Sequence, residues 1–371
     1  MSMFDHYLDD PCNELVEQAL DQGQVPLGYT CSFVPAALLT LPPLFPLRMR
    51  APGVSGSEVG DIYMSNLTCS YTRSLMEFAM DFRYDFLSGW VHAASCDHLR
   101  RLNDNLEYLS IPAFSHVLDV PHRRGETALR WLTDELVLLL ENLRGQFGVD
   151  ITDESLRGAV KEYNDFLGLL AAIGDLRKQA APPLTGTDFH KMMMAAQCSP
   201  PDLIREKIVE YQERLSGQSG RSDYRARLMV VGGQLDDPDY LETIESAGAL
   251  VVADRFCTGS IPGLNPIPLD HSSILRAVAE HTLLTPSCPR MMEDFDERLN
   301  QILSAAEAYR VDGIIVEFIK FCDTWGVETA ALVPALREAG YRVLCLEKEY
   351  SSTGFGQLQT RVQAFLESMG V

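Results

Sequence analysis

Three cysteines stand where the chain could do metal or redox chemistry: Cys69, Cys96 and Cys322. Each closes a short apolar run with the β-branched or aromatic composition of a buried strand, and a segment with helical spacing follows it. The three runs are residues 61–69, 86–96 and 313–321. In a doubly wound fold, ligands gather at the carboxyl ends of the strands. The sequence therefore predicts that the three thiols converge at one rim.

Such a rim suits iron and sulfur. Helix N-termini carry a positive potential that favours thiolate over thiol. Three thiolates could hold a [4Fe-4S] cluster and leave one iron open, since the usual full set is four cysteines. An open iron can bind an oxygen ligand as a Lewis acid. The cysteines have no Cys-x-x-Cys spacing, so the prediction rests on their positions in the predicted elements.

The other six cysteines carry less information. Cys257 also follows a predicted strand, and it is either a fourth rim group or a packing residue near the site. Cys345 lies inside a predicted strand, which indicates core packing. Plain packing is also the interpretation for the remaining four, Cys12, Cys31, Cys198 and Cys288. The total of nine is odd, which disfavours a disulfide framework.

Strands and helices alternate along most of the chain, which predicts an α/β fold with parallel sheets and helices on both faces. Two prolines within residues 180–186 mark a break between halves. We expect two doubly wound domains, at residues 1–185 with Cys69 and Cys96 and at residues 186–371 with Cys322. Helices at 190–197 and 201–215 are expected to bridge them.

Composition excludes several classes of function. The chain has 371 residues and a net charge of −21, which argues against non-specific binding to nucleic acid or to anionic membranes. No apolar run is long enough to span a membrane, and the first ten residues carry three aspartates and no lysine or arginine. We therefore expect a cytoplasmic protein. P-loop, dinucleotide-binding, nucleophile-elbow and His-Glu-x-x-His motifs do not occur in the sequence.

Six sequence pieces, in this order, resemble the 2-hydroxyacyl-CoA dehydratase and benzoyl-CoA reductase superfamily. They are GYTCSFVP (28–35), CSYTRS (69–74), SCDHLRR (95–101), LVVAD (250–254) with CTG (257–259), KFCD (320–323), and EY (349–350) with GQ (356–357) and TRVQAFLE (360–367).

The resemblance implies a two-domain α/β subunit whose cubane cluster is held by Cys69, Cys96 and Cys322. It also implies a related second subunit, either different or identical, and a separate ATP-hydrolysing iron–sulfur activator that supplies a low-potential electron. The chemistry implied is one-electron reduction of an aromatic acyl-CoA or radical dehydration of a 2-hydroxyacyl-CoA. Trp325 and Gly326 after the third cysteine, with the 349–357 piece, resemble the aromatic reductase side.

Other possibilities stay open at this point. A third branch of the superfamily binds a double-cubane cluster and reduces small molecules; it needs more cysteines at one rim, and Cys257 keeps it possible. The chain could also be a non-catalytic partner subunit, or an α/β protein with buried cysteines only. No general acid or base stands out. Four carboxylates lie near predicted strand ends and could equally be capping or surface groups: Glu317, Asp323, Glu347 and Glu349.

Overall fold

The computed structural model describes residues 2–261, 263–285, 288–351 and 354–371. These residues form thirteen α-helices and eight strands. The strands make two four-stranded sheets in which every neighbouring pair is parallel. The predicted α/β class with two parallel sheets is confirmed.

The first sheet has the strand order β2-β1-β3-β4. Its strands are β1 (Val25–Tyr29), β2 (Leu44–Arg48), β3 (Gly89–Ala93) and β4 (Ser115–Leu118). Helices in this part of the chain are α1 (Glu14–Asp21), α2 (Gly60–Tyr63), α3 (Ser70–Met80), α4 (Asp97–Tyr108), α5 (Glu126–Phe147) and α6 (Asp153–Asp175). Both faces of the sheet are covered: Val91 packs with leucines of α5, and the neighbouring Trp90 packs with α3 and α4.

The second sheet has the equivalent order β6-β5-β7-β8. Its strands are β5 (Ala226–Gly232), β6 (Ala249–Arg255), β7 (Gly313–Ile319) and β8 (Arg342–Lys348). The preceding helices are α7 (Gly186–Gln197) and α8 (Pro201–Ser216), and those that follow β5 are α9 (Pro238–Ser246), α10 (Ile274–Leu284), α11 (Phe295–Ala308), α12 (Asp323–Glu338) and α13 (Phe355–Ser368). Alternate residues of a strand face opposite sides of the sheet. Accordingly, Val230 packs with α9 and α13, whereas Val231 packs with α11 and α12.

Helix α7 joins the two sheets, as predicted for a bridging helix. Near its end, the Gln197 side chain accepts a hydrogen bond from Arg48 at the end of β2 and donates one to the carbonyl of Thr258, which lies beyond β6. His190, on the same helix, lies 2.8 Å from the carbonyl of Leu235. The two sheets therefore meet across this helix with their strand ends close together.

Some features of the fold differ from the sequence-based expectations. Strand β1 is not predicted from sequence, because Pro26 and Gly28 resemble a turn. A side chain at Gly28 would collide with Leu87, which explains the glycine. Helix α10 is not predicted either, and it packs against the core of the first sheet. The division between domains at residues 185 and 186 stays a prediction. Within the described ranges, no helix has the length and apolar character needed to cross a membrane.

Candidate metal centre

Cys96 and Cys322 occupy equivalent places in the two sheets. Each lies three residues beyond the third strand of its sheet in chain order and is the N-cap residue of the next helix, α4 or α12. Helix α12 begins at Asp323, and this places Cys322 directly at its N-cap. The fold thus positions both thiols by the same strand-to-helix turn.

Cys69 is the N-cap residue of α3, but the predicted strand before it is wrong. Residues 60–63 form the short helix α2 and a loop follows. Two of the apolar side chains that suggested a strand are exposed, Ile62 at 74% and Leu67 at 64% of full exposure. They bury nothing that a sheet could use, so the segment does not pair.

The structure brings the three predicted cysteines together. Cys96 and Cys322 both pack against the hydrophobic cluster that contains Cys69. Each pair is also close enough to interact electrostatically: Cys322 raises the pKa of Cys69, and Cys69 and Cys322 both raise the pKa of Cys96. The predicted convergence of three distant segments is therefore present in the fold.

His98 ties the three segments to one another. The backbone N–H of Cys69 donates to His98 Nδ1 at 3.2 Å. Acceptance at Nδ1 leaves the ring proton on Nε2, which faces Asp323 Oδ2 at 3.7 Å. Because His98 follows Cys96 by two residues and Asp323 follows Cys322, one ring contacts residues at the starts of α3 and α12 from within α4.

Burial keeps the free thiols protonated. It raises the pKa of Cys69 to about 11, with a further increase from Cys322, and it raises the pKa of Cys96 and Cys322 above the ordinary range. Backbone N–H groups of the first helical turns act in the opposite direction, Leu99 on Cys96 and Trp325 on Cys322, although none of the three sulfurs makes a regular capping hydrogen bond. Bound iron would displace these protons.

A second group of three cysteines lies beside the first: Cys31, Cys257 and Cys288. Burial raises the pKa of Cys257, and Cys288 and Cys31 raise it further. The pKa of Cys288 rises to about 12 for the same reasons, burial first and Cys31 second. Cys322 acts on Cys257 and Cys288, and Cys31 acts on Cys96, so the two groups are neighbours.

Backbone contacts hold this second group in place. Ser32, next to Cys31, donates to the carbonyl of Cys257 at 3.4 Å, and the N–H of Cys257 donates to the carbonyl of Gly233. Arg290, two residues after Cys288, donates to the carbonyl of Ala94 at the end of β3. From sequence, Cys31 and Cys288 are expected to serve packing only. No local spacing signals their meeting, because it depends on the arrangement of both sheets.

A cluster and a single ion would need different arrangements of the donor side chains. In the part of the chain that the structure describes, no three His, Cys, Asp or Glu side chains are arranged to hold one metal ion. Each thiolate of a cubane binds a separate iron, so the sulfurs of such a site stand apart. Soft thiolates are the ligands that iron–sulfur clusters select. Arg48, a buried arginine beside Cys31 and Cys257, has two unpartnered nitrogens and would accept an anionic group.

Glu317 is a buried carboxyl group near the first cysteine group. It is fully buried in β7, and burial raises its pKa to about 7 although Lys348 Nζ lies 3.8 Å away. It also acts electrostatically on Cys322. The other carboxylates considered from sequence are less enclosed: Asp323 and Glu347 are exposed, and Glu349 is half-buried.

An open cleft of about 1280 Å³ lies against Cys96. Its lining includes Arg100, Arg290, Asp323, Thr324 and Val327, so the cleft runs from the start of α4 to the start of α12. Its volume is sufficient for an organic substrate or for a segment of another protein.

Comparison with known proteins identifies the family of this chain. The family model described as 2-hydroxyglutaryl-CoA dehydratase, D-component, matches residues 31–369. The chain is 23% identical to the (R)-phenyllactyl-CoA dehydratase beta subunit of Clostridium sporogenes over 99% of this chain and 97% of that protein. It is also 23% identical to a benzoyl-CoA reductase subunit of Thauera aromatica (82% and 80% covered) and 22% identical to the beta subunit of lactoyl-CoA dehydratase of Anaerotignum propionicum (87% and 86% covered). The chain belongs to the 2-hydroxyglutaryl-CoA dehydratase D-component family, within the superfamily of 2-hydroxyacyl-CoA dehydratases and benzoyl-CoA reductases.

Proposed function

We propose that this chain is an iron–sulfur redox subunit whose cluster is held by Cys69, Cys96 and Cys322. The three thiols come from separate segments, cap three helices and lie within one hydrophobic cluster. Thiolates so placed are shielded from water and face the positive ends of helices. When bound, the cluster supplies one-electron transfer at low potential.

The second cysteine group is the observation that supports one branch over the others. A single cubane uses three or four cysteines, whereas six converge here. This number favours the branch with a double-cubane cluster, in which Cys31, Cys257 and Cys288 would hold the second half. The chain would then act as a reductase of small molecules, and the cleft beside Cys96 would admit them.

Acyl-CoA chemistry is the second candidate, and the family supports it. The related proteins include acyl-CoA dehydratase subunits and a benzoyl-CoA reductase subunit. On this alternative the chain carries one cubane and takes part in reduction of an aromatic acyl-CoA or in radical dehydration of a 2-hydroxyacyl-CoA. The residues of the second group then serve packing only.

The chain's own residues have three tasks in either case. The N–H groups at the starts of α4 and α12 favour the thiolate form of Cys96 and Cys322. His98 fixes the relative positions of the helix starts. The surrounding hydrophobic cluster excludes water, which would otherwise compete for a reactive centre.

The proposal includes partners. Three of the related proteins are named beta subunits, which supports a multi-subunit assembly here, with a related subunit or a second copy of the chain. An ATP-hydrolysing iron–sulfur activator would deliver the electrons, consistent with the lack of a P-loop in this sequence. The reducing cytoplasm would keep all nine thiols available.

Anaerobic purification with iron and sulfide analysis tests the proposal. A double-cubane cluster gives about eight irons per chain and a single cubane about four. If the chain holds a double-cubane cluster, Cys257→Ala should lower its iron content; if it holds a single cubane, the iron content should stay unchanged. Cys345→Ala, in the half-buried edge strand β8, is the control in both cases. Colourless protein that is stable in air and free of iron would contradict both candidates.

A further inference from the structure

Arg48 is a buried charge without a counter-charge. It ends β2, and only 3% of its surface is exposed. Its Nη1 donates to Ser32 Oγ at 3.1 Å and to Gln197 Oε1 at 3.3 Å, both neutral groups. Within the described ranges no partner meets hydrogen-bond geometry at its Nε or Nη2, although the phenol of Tyr29 lies against the guanidinium. Among the described residues, no Asp or Glu forms an ion pair with it.

Other buried arginines of the chain have either a carboxylate or several carbonyl groups as partners. Arg50, two residues further on, pairs with Asp236 at 3.4 Å, and Arg298 pairs with Glu328 through two hydrogen bonds. Arg177 lies 3.0 Å from Asp254. Arg290 donates to three carbonyl groups. An unpaired buried charge is strongly destabilising, so the exception at Arg48 calls for a negative group nearby.

The negative group must come from the cysteine side. The groups that act on the Arg48 charge are the phenols of Tyr29 and Tyr71 and the thiols of Cys257 and Cys31. Hydrogen bonds make the link to the cysteine side: Arg48 Nη1 donates to Ser32 Oγ, which in turn donates to the carbonyl of Cys257 at 3.4 Å. Thiolates that carry iron and sulfide would place negative charge at this position.

We propose that Arg48 supplies the fixed positive charge that balances an anionic cluster on the Cys31, Cys257 and Cys288 side and raises its reduction potential. The inference rests on the proposed function, because it needs a cluster at this place. The reduced cluster carries one more negative charge than the oxidised one. A fixed positive charge in a poorly solvated site therefore stabilises the reduced form more.

Redox titration of the anaerobic, cluster-loaded protein tests the inference. Arg48→Met removes the charge at similar length and should shift the one-electron reduction equilibrium at least tenfold toward the oxidised form, which lowers the midpoint by about 59 mV or more. Arg48→Lys keeps the charge, so its reduction midpoint should shift by less than that amount. Lys320→Met, which removes an exposed charge two residues before Cys322, is the control and should also stay within it.

Unfolding of the iron-free protein gives a second readout. Arg48→Met should unfold at equal or higher denaturant concentration than the wild type, because it removes an unpaired buried charge. An unchanged midpoint in iron-loaded Arg48→Met would overturn the inference and leave the proposed function standing. A clear loss of stability in iron-free Arg48→Met would also overturn the inference, and so would failure of both Arg48→Met and Arg48→Gln to fold. Absence of iron from the wild type would overturn the proposed function itself.

Discussion

The two sheets have the same strand order but different residues at equivalent places on their central strands. In the first sheet Tyr29 lies opposite Val91, and in the second Gly232 lies opposite Glu317. A side chain at Gly232 would collide with the Glu317 carboxyl group. The glycine therefore makes room for a buried acid where the first sheet has only apolar and aromatic groups. One scaffold thus provides a site for a thiol in both halves and for a buried carboxyl group in the second alone.

The shared feature is the thiol at the end of each third strand. If the equivalence is functional, Cys96→Ala and Cys322→Ala should have the same effect: loss of iron, of sulfide and of the visible absorption, since each removes one cluster ligand. Iron analysis and absorption spectra of anaerobically purified variants measure this, with Cys345→Ala as the unaffected control. Full iron in either variant would show that the two turns are alike in shape only.

Much of this equivalence could be predicted from the sequence. The β-branched run before Cys322 and the helical spacing after it are local signals, and they placed the thiol at a strand end correctly. The position of Cys69 near the other two thiols was predicted from a strand that the structure does not contain. Its preceding segment looked like a strand because Ile62 and Leu67 are apolar, and only the fold reveals that they remain exposed.

The second cysteine group could not be predicted in this way. Cys31 follows β1, a strand hidden by its proline and glycine, and Cys288 follows α10, a helix without a clear signal. Their approach to Cys257 depends on how both sheets meet across α7. Charge balance was equally hidden, because nothing in the sequence around Arg48 and Arg50 shows which of the two has a carboxylate partner.

The two third strands also differ in how they respond to pH. His92 in β3 is buried, and burial lowers its pKa from 6.5 to about 4. As the pH drops, the His92 imidazole takes up a proton in the unfolded chain before it does so in the folded protein. The free energy of unfolding should therefore fall between about pH 6.5 and about pH 4, by on the order of 3 kcal/mol. Denaturant unfolding of iron-free protein across this range should show the slope, and His92→Phe, which copies Phe318 of the second sheet, should reduce it. An unchanged slope would mean that His92 does not titrate as its burial implies.

Glu317 should give the opposite slope. Burial raises its pKa from 4.5 to about 7, so the folded protein holds a proton that the unfolded chain has lost. Stability should therefore fall as the pH rises from about 4.5 to about 7, by on the order of 3 kcal/mol. Glu317→Gln, which keeps the size and removes the titration, should flatten this part of the profile in the same unfolding experiment. Glu317→Val is a poorer variant, because it also removes the side-chain oxygen that faces the buried Lys348 Nζ.

The smallest expected effect concerns the link between the two halves. His98→Ala removes the acceptor for the backbone N–H of Cys69 and the contact with Asp323, and we expect a loss of about 1 kcal/mol in stability. We also expect faster iron release to a chelator, because the helix starts that carry Cys69 and Cys322 lose their common support. His122→Ala, which removes an exposed histidine of the cleft beside Cys96, is the matched control. Equal release rates in the two variants would mean that packing alone holds the three segments together and that the ring of His98 adds nothing to it.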